Sequence, residues 1–233
     1  MDRLELPEEE AEHLVRVLRL GVGDAVDVFN GHGGLWRAEV IEAGKKSVVV
    51  RPLEPLVPAK ELDTHVTLVL AVLKGDKMDD VVRDAVMLGV AAIQPVISGR
   101  TEVSPAALAR SSRADRWRRI AVSSAKQCGR AVVPEILDPM PLAQYWAEPV
   151  SAARVMCVEP SAALGDTISV DAVSRSRAVD LIIGPEGGWA VSEIAAAHDA
   201  GAMLMSLGAR TLRADAMPII AMTALLTTWG DLT

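Results

Sequence analysis

The chain has 233 residues, of which 50% are hydrophobic and 24% charged, with a formal net charge of −7. That length builds one large domain or a small one beside a medium one, and the apolar content excludes wholesale disorder. No apolar run reaches the ~18 residues of a membrane-spanning helix, the acidic start MDRLELPEEEAEHL lacks the form of a signal peptide, and Cys128 and Cys157 are too few for a disulfide scaffold and lack metal-ligand spacing.

The expectation is therefore a soluble cytoplasmic protein with free thiols, bound to neither membrane nor metal. Its acidic charge does not advertise nucleic-acid binding, but the charge is unevenly spread. Between Arg100 and Arg130 stand eight cations against Glu102 and Asp115. Such a stripe is either a phosphate-binding surface or a solvated helix face.

In chain order, EEEAEHLVRVLRL has apolar residues at 11, 14, 15 and 18, the pattern of a short amphipathic helix ended by Gly21. AVDVFN (25–30) and LWRAEVIE (35–42) alternate as strands, and GHGG (31–34) between them makes a hairpin. KSVVVRPLE (46–54) is a third strand, and the three prolines of PLEPLVPAKELD read as a linker. The rhythm then changes to strands at 66–73, 91–98, 153–159, 179–184 and 202–208 and helices at 76–90, 113–130, 190–201 and 215–229. Strands alternating with helices predict an α/β fold with a parallel sheet covered on both faces. The domains expected are a small β-rich unit over 1–60 and an α/β domain over 66–233.

Ligands in such sheets bind at the carboxyl ends of strands. Three strand ends carry unusual chemistry: Val158-Glu159-Pro160, then Gly184-Pro185-Glu186-Gly187-Gly188, then the segment from Ser206 to Arg213. Neither glycine loop matches GxxxxGK[ST] or GxGxxG, which disfavours a phosphate cradle. The glycines either let a ligand approach bare backbone or only make a tight turn.

GPEGG at one strand end, SLGxxxLR about twenty residues on and a terminal helix together resemble the RsmE family, methyltransferases of the SPOUT class that act on a uridine N3 in 16S rRNA. HLVRVLRLGVGD with FNGHGGLWRAEV resembles that family's N-terminal PUA-like β-barrel. LKGDKMD, LGVAAIQPVISGR, RWRRIAVSSAKQCGRAVVPEI and the final WGDL follow in the family's order. The resemblance implies a SPOUT trefoil-knot α/β methyltransferase domain, a homodimer, S-adenosylmethionine as cofactor, and 16S rRNA or the small ribosomal subunit as partner.

By that resemblance the cofactor pocket comprises Gly184, Glu186, Gly187, Gly188, Leu207, Gly208 and Leu212. Arg213 is the candidate to stabilise the anion left when uridine N3 loses its proton. The alternative for Arg213 is a loop-capping salt bridge, and Arg210 is open between the two. Glu186 either orients the loop or assists proton removal. Many relatives read LRTET where this chain reads Leu212-Arg213-Ala214-Asp215-Ala216, and Asp215 is expected to be a helix N-cap.

Such a departure leaves room for another RNA target or a non-catalytic assembly factor. His13, Arg16 and Arg19, three apart, share a helix face and with Arg37 are candidate RNA contacts. Arg130, in the basic run, is another. Trp36 and Trp189 are the aromatics available for base stacking, Trp189 being equally a core residue. Cys157, inside an apolar strand, reads as core.

Overall fold

A computed structural model describes residues 3–44, 47–149, 151–161 and 167–232. The chain divides into two compact units, residues 1–60 with 129–132, and residues 61–128 with 133–233.

The first unit is an antiparallel sheet in the order β1-β4-β3-β2, formed by β1 (Leu4–Glu5), β2 (Ala25–Phe29), β3 (Leu35–Ala43) and β4 (Val48–Pro55). The expected first residue of the third strand, Lys46, lies outside the described residues. Asn30 sets the hairpin tip, its Oδ1 accepting the His32 and Gly34 N–H groups at 2.9 Å each. A Cβ at Gly34 would lie 2.1 Å from the Trp36 ring, so any larger residue there must displace the indole. Alternate side chains of β3 and β4, among them Ala38, Val40, Val48 and Val50, bury against Ala11 and Leu14. Residues 129–132 join this unit at the hairpin tip. Gly33 N donates to Ala131 O at 3.0 Å, and His32 bridges to Val132.

The expected amphipathic helix is only partly α-helical. Regular α-helix covers Glu8–Glu12 (α1), with three acidic residues in its first turn. His13–Val17 then form a π turn, marked by the Leu18 N–H bond to His13 O, and Arg19 follows with φ +58°. A π turn takes more residues per revolution than the 3.6 that the spacing argument assumed. His13, Arg16 and Arg19 therefore do not form one helical stripe.

The second unit contains β5 (His65–Ala71), α2 (Lys77–Met87), β6 (Ala92–Ile97), α3 (Pro105–Ala109), α4 (Arg113–Cys128), β7 (Glu135–Ile136), β8 (Met140–Pro141), α5 (Leu142–Ala147), β9 (Ala153–Cys157), β10 (Ala178–Ile183), α6 (Val191–Asp199), β11 (Met203–Met205) and α7 (Met217–Trp229). All pairings are parallel, in the order β11-β9-β10-β5-β6-β7, with β8 also on β6. β10 enters between β5 and β9, both of which precede it in the chain. The period of two sorts the central strands. Leu68, Leu70, Leu181 and Ile183 face the core shared with α2, α4 and α7. Val69, Ala71, Met156 and Ile182 face that shared with α5 and α6. Burial on both faces is why these strands read as unbroken apolar runs. Among the described residues no helix is long and apolar enough to cross a membrane.

Candidate active site

The carboxyl ends of β9 and β10 and the segment between β11 and α7 enclose an open cleft of about 330 Å³. Val158, Ile183, Leu207, Leu212 and Met217 give it apolar walls, and Lys77, Glu159, Glu186, Arg210, Arg213 and Asp215 supply its charges. Of the residues expected at the cofactor, Gly184, Glu186, Gly188, Leu207 and Leu212 line it. Gly187 and Gly208 are not among the lining residues.

The glycines have separate physical reasons. At Gly184 a Cβ would stand 2.9 Å from Cε2 of Trp189. That indole folds back across the strand end, where its Nε1 donates to Cys157 O at 2.9 Å. Trp189 is 6% exposed and belongs to the core, which removes it as a stacking platform for a base. Gly188 has φ +66°, and its N–H closes a turn on Pro185 O at 2.9 Å. A Cβ there would lie 3.1 Å from Glu159 Oε1. Gly187 instead backs onto Arg100, whose Nη1 donates to Gly187 O at 2.9 Å. Gly208, at φ +72°, has open space around it and serves as a turn residue.

Glu186 is a brace. Its Oε1 accepts the Lys77 ammonium at 2.9 Å and the Lys74 N–H at 3.2 Å, tying the β10 loop to the start of α2. Burial pushes its carboxyl up, but the hydrogen bonds from Lys77, its own N–H and Lys74 outweigh that and hold it below the usual carboxylate range. The sequence showed LKGDKMD, but not that Lys77 reaches a loop more than a hundred residues away.

Asp215 is not a helix N-cap. α7 begins at Met217, and Ala216 occupies the cap position without a side-chain bond. Both Asp215 oxygens go to Arg213 in a fork, Nε–Oδ1 at 3.0 Å and Nη2–Oδ2 at 2.9 Å. The Arg213 hydrogen bond is the main reason that the Asp215 carboxyl is held down, against an opposing burial effect. The guanidinium is 75% exposed beside the cleft, so its other donors remain presented. Ala214 and Ala216 replace two hydroxyls without disturbing this fork. Cys157 is buried, which pushes its thiol far up and removes it as a nucleophile.

The RNA candidates fare unevenly. Arg16 pairs with Glu12, and Arg37 pairs with Asp27 at 3.0 Å. His13 and Arg19 are exposed. Arg130 is only 6% exposed, so its expected role at phosphate gives way to a structural one. Part of the basic stripe is ion-paired. Arg116 meets Asp79 at 2.5 Å, and Arg118 meets Asp138 at 2.6 Å and Asp115 at 3.0 Å. Trp36 is half-buried over Gly34.

The cleft suits a nucleoside-sized ligand. Bare backbone at two glycines and apolar walls accept rings. Lys77 and Arg213 are each paired with a carboxylate, and Glu159 and Arg210 add one charge of each sign. A polyphosphate would want a surplus of cations.

A family model described as an RNA methyltransferase domain matches residues 60–226, and one described as an RNA methyltransferase PUA domain matches residues 6–53. The chain is 32% identical over 216 residues to a ribosomal RNA small subunit methyltransferase E of Synechocystis, covering 91% of this chain and 69% of that one. It is 26% identical over 222 residues to its Bacillus subtilis namesake, covering 93% and 87%. The fold superposes on a ribosomal RNA small subunit methyltransferase E of Neisseria gonorrhoeae bound to S-adenosyl methionine, with a TM-score of 0.88, 30% identity and coverage of 99% and 94%.

Proposed function

Because this chain belongs to the ribosomal RNA small subunit methyltransferase E family, we propose that its cleft holds S-adenosylmethionine and that Arg213 serves methylation of a uridine N3 in 16S rRNA. The chain is an S-adenosylmethionine-dependent ribosomal RNA methyltransferase with a SPOUT trefoil-knot α/β domain and an N-terminal PUA-like domain. The finer reading adds the small subunit as substrate, a homodimer and a cytoplasmic location. It rests on the family resemblance.

The bound cofactor supplies an electrophilic methyl group on a sulfonium. The protein supplies alignment, worth on the order of 7–11 kcal/mol in the best intramolecular cases. The backbone of Gly184 and Gly188 and the side chains of Leu207 and Leu212 would hold the nucleoside, and the apolar walls limit water. Methyl transfer forms a bond from N3 to carbon and breaks the bond from carbon to sulfur, while the N3 proton leaves to solvent or a base. Negative charge spreads onto O2 and O4 of the ring. Arg213 meets that charge, held in place by the Asp215 fork.

The observation that carries this reading is the Arg213–Asp215 fork on the lip of an apolar, glycine-floored cleft at the strand ends. Arg213→Ala tests it. Turnover should fall by about 10²- to 10³-fold while cofactor affinity stays within a few fold. Unchanged turnover would remove Arg213 from the chemistry.

A further inference from the structure

The loop after β6, residues 98–102, grips the GPEGG elbow from outside the cleft. Glu193, the third residue of α6, turns both carboxylate oxygens back. Oε2 accepts the Ala190 N–H at 2.8 Å, an ordinary closure of a helix start. Oε1 accepts the Gly99 N–H at 2.7 Å, reaching a loop 94 residues away in sequence. One residue further, Arg100 Nη1 donates to Gly187 O at 2.9 Å. A Cβ at Gly187 would lie 3.2 Å from the Arg100 Cβ, so the two segments are already in close contact. The anchored residues, Gly187 and Ala190, bracket Gly188 and Trp189, which line the cleft. Neither Glu193 nor Arg100 lines it.

We propose that Glu193 and Arg100 are positioning residues for the cofactor: they clamp residues 99–100 onto the elbow and hold the Gly188 backbone in its receiving conformation. This rests on the reading of the cleft as the S-adenosylmethionine site. A carboxylate is needed at 193 because two N–H donors converge on it. A glutamine has one acceptor oxygen and presents an NH2 group to the other donor. An aspartate keeps the charge at the helix start but shortens the reach to Gly99.

The test uses the full chain. S-adenosylhomocysteine binding is measured by calorimetry for wild type, Glu193→Gln, Glu193→Asp, Arg100→Ala and the Glu193→Gln/Arg100→Ala double variant. Amide exchange of ligand-free protein is followed at Gly99. Each single variant should bind about tenfold more weakly, the loss expected for one or two hydrogen bonds. KM for S-adenosylmethionine should rise, with kcat within twofold. Gly99 exchange should quicken in both Glu193 variants, and the double variant should bind no more than twofold worse than the weaker single. A helix-capping role alone predicts wild-type affinity in Arg100→Ala and in Glu193→Asp. If Glu193→Gln and Arg100→Ala both fold and bind within twofold of wild type, the clamp is wrong. If Glu193→Gln does not fold, Arg100→Ala decides. Wild-type protein that fails to bind S-adenosylhomocysteine overturns the cofactor reading itself, and the clamp with it.

Discussion

Gly184→Ala separates two reasons for a glycine at the β10 end. If the ligand demanded the glycine, the alanine would cost cofactor affinity and leave stability alone. The geometry points to the indole. The added methyl would stand 2.9 Å from Cε2, 3.1 Å from Nε1 and 3.2 Å from Cδ2 of Trp189. Those are ring atoms of a buried side chain, not the end of a flexible one, so the ring must shift and its bond to Cys157 O breaks. Overpacking costs roughly 1–3 kcal/mol, and a buried donor left unpaired costs roughly another 1–3. The expected destabilisation is about 2–6 kcal/mol, read as a shift in the denaturant midpoint at unchanged slope. Trp189→Leu should absorb most of that penalty, because it removes both the clash and the donor. A double-mutant cycle over Gly184→Ala and Trp189→Leu should therefore show a coupling of at least 1 kcal/mol. Additive costs, or an alanine variant as stable as wild type, would refute the reasoning.

Other outcomes follow from the same geometry. Asp215→Asn should lower kcat by about tenfold, with little change in cofactor affinity, because the amide offers Arg213 one uncharged acceptor oxygen where the carboxylate offered two charged ones. Single-turnover rates check it. The Glu186 brace has a pH signature. Its folded pKa lies below the unfolded value of about 4.3, so its contribution is complete above that pH and lost as pH falls through the lower folded value. The difference in thermal midpoint between wild type and Glu186→Gln should be constant from pH 7 to 5 and shrink only in more acid solution. For RNA, Arg37→Ala should reduce the salt dependence of binding by roughly 0.7–0.9 in log–log slope, the share of one phosphate contact. Arg130→Ala should leave that slope unchanged and lower the unfolding midpoint, since its side chain is buried.

Strand and helix order were readable because the central strands are apolar on both faces and the helices end on glycines that the backbone requires. Gly89 and Gly129 have φ of +89° and +78°. Short elements were not readable. α3, β8 and α5 span too few residues for a period to show. The π turn after α1 also escaped, since an apolar pattern at 11, 14, 15 and 18 suits a regular helix equally well. At the site, the two glycine loops and Arg213 stood out by residue type. Their partners did not. Lys77, Arg100 and Glu193 are ordinary surface residues in the sequence and acquire meaning only when the strand ends converge. The reverse error occurred at Arg130, where charge suggested phosphate but the side chain is buried.

Methyl transfer tests the account most directly. Labelled S-adenosylmethionine is offered to small ribosomal subunits lacking the modification and, in parallel, to naked 16S rRNA, with the product nucleotide mapped by mass spectrometry. The account predicts a single 3-methyluridine, made on the particle and lost in Arg213→Ala. No incorporation on either substrate by protein that binds the cofactor, or a methyl group on a different atom, would contradict it.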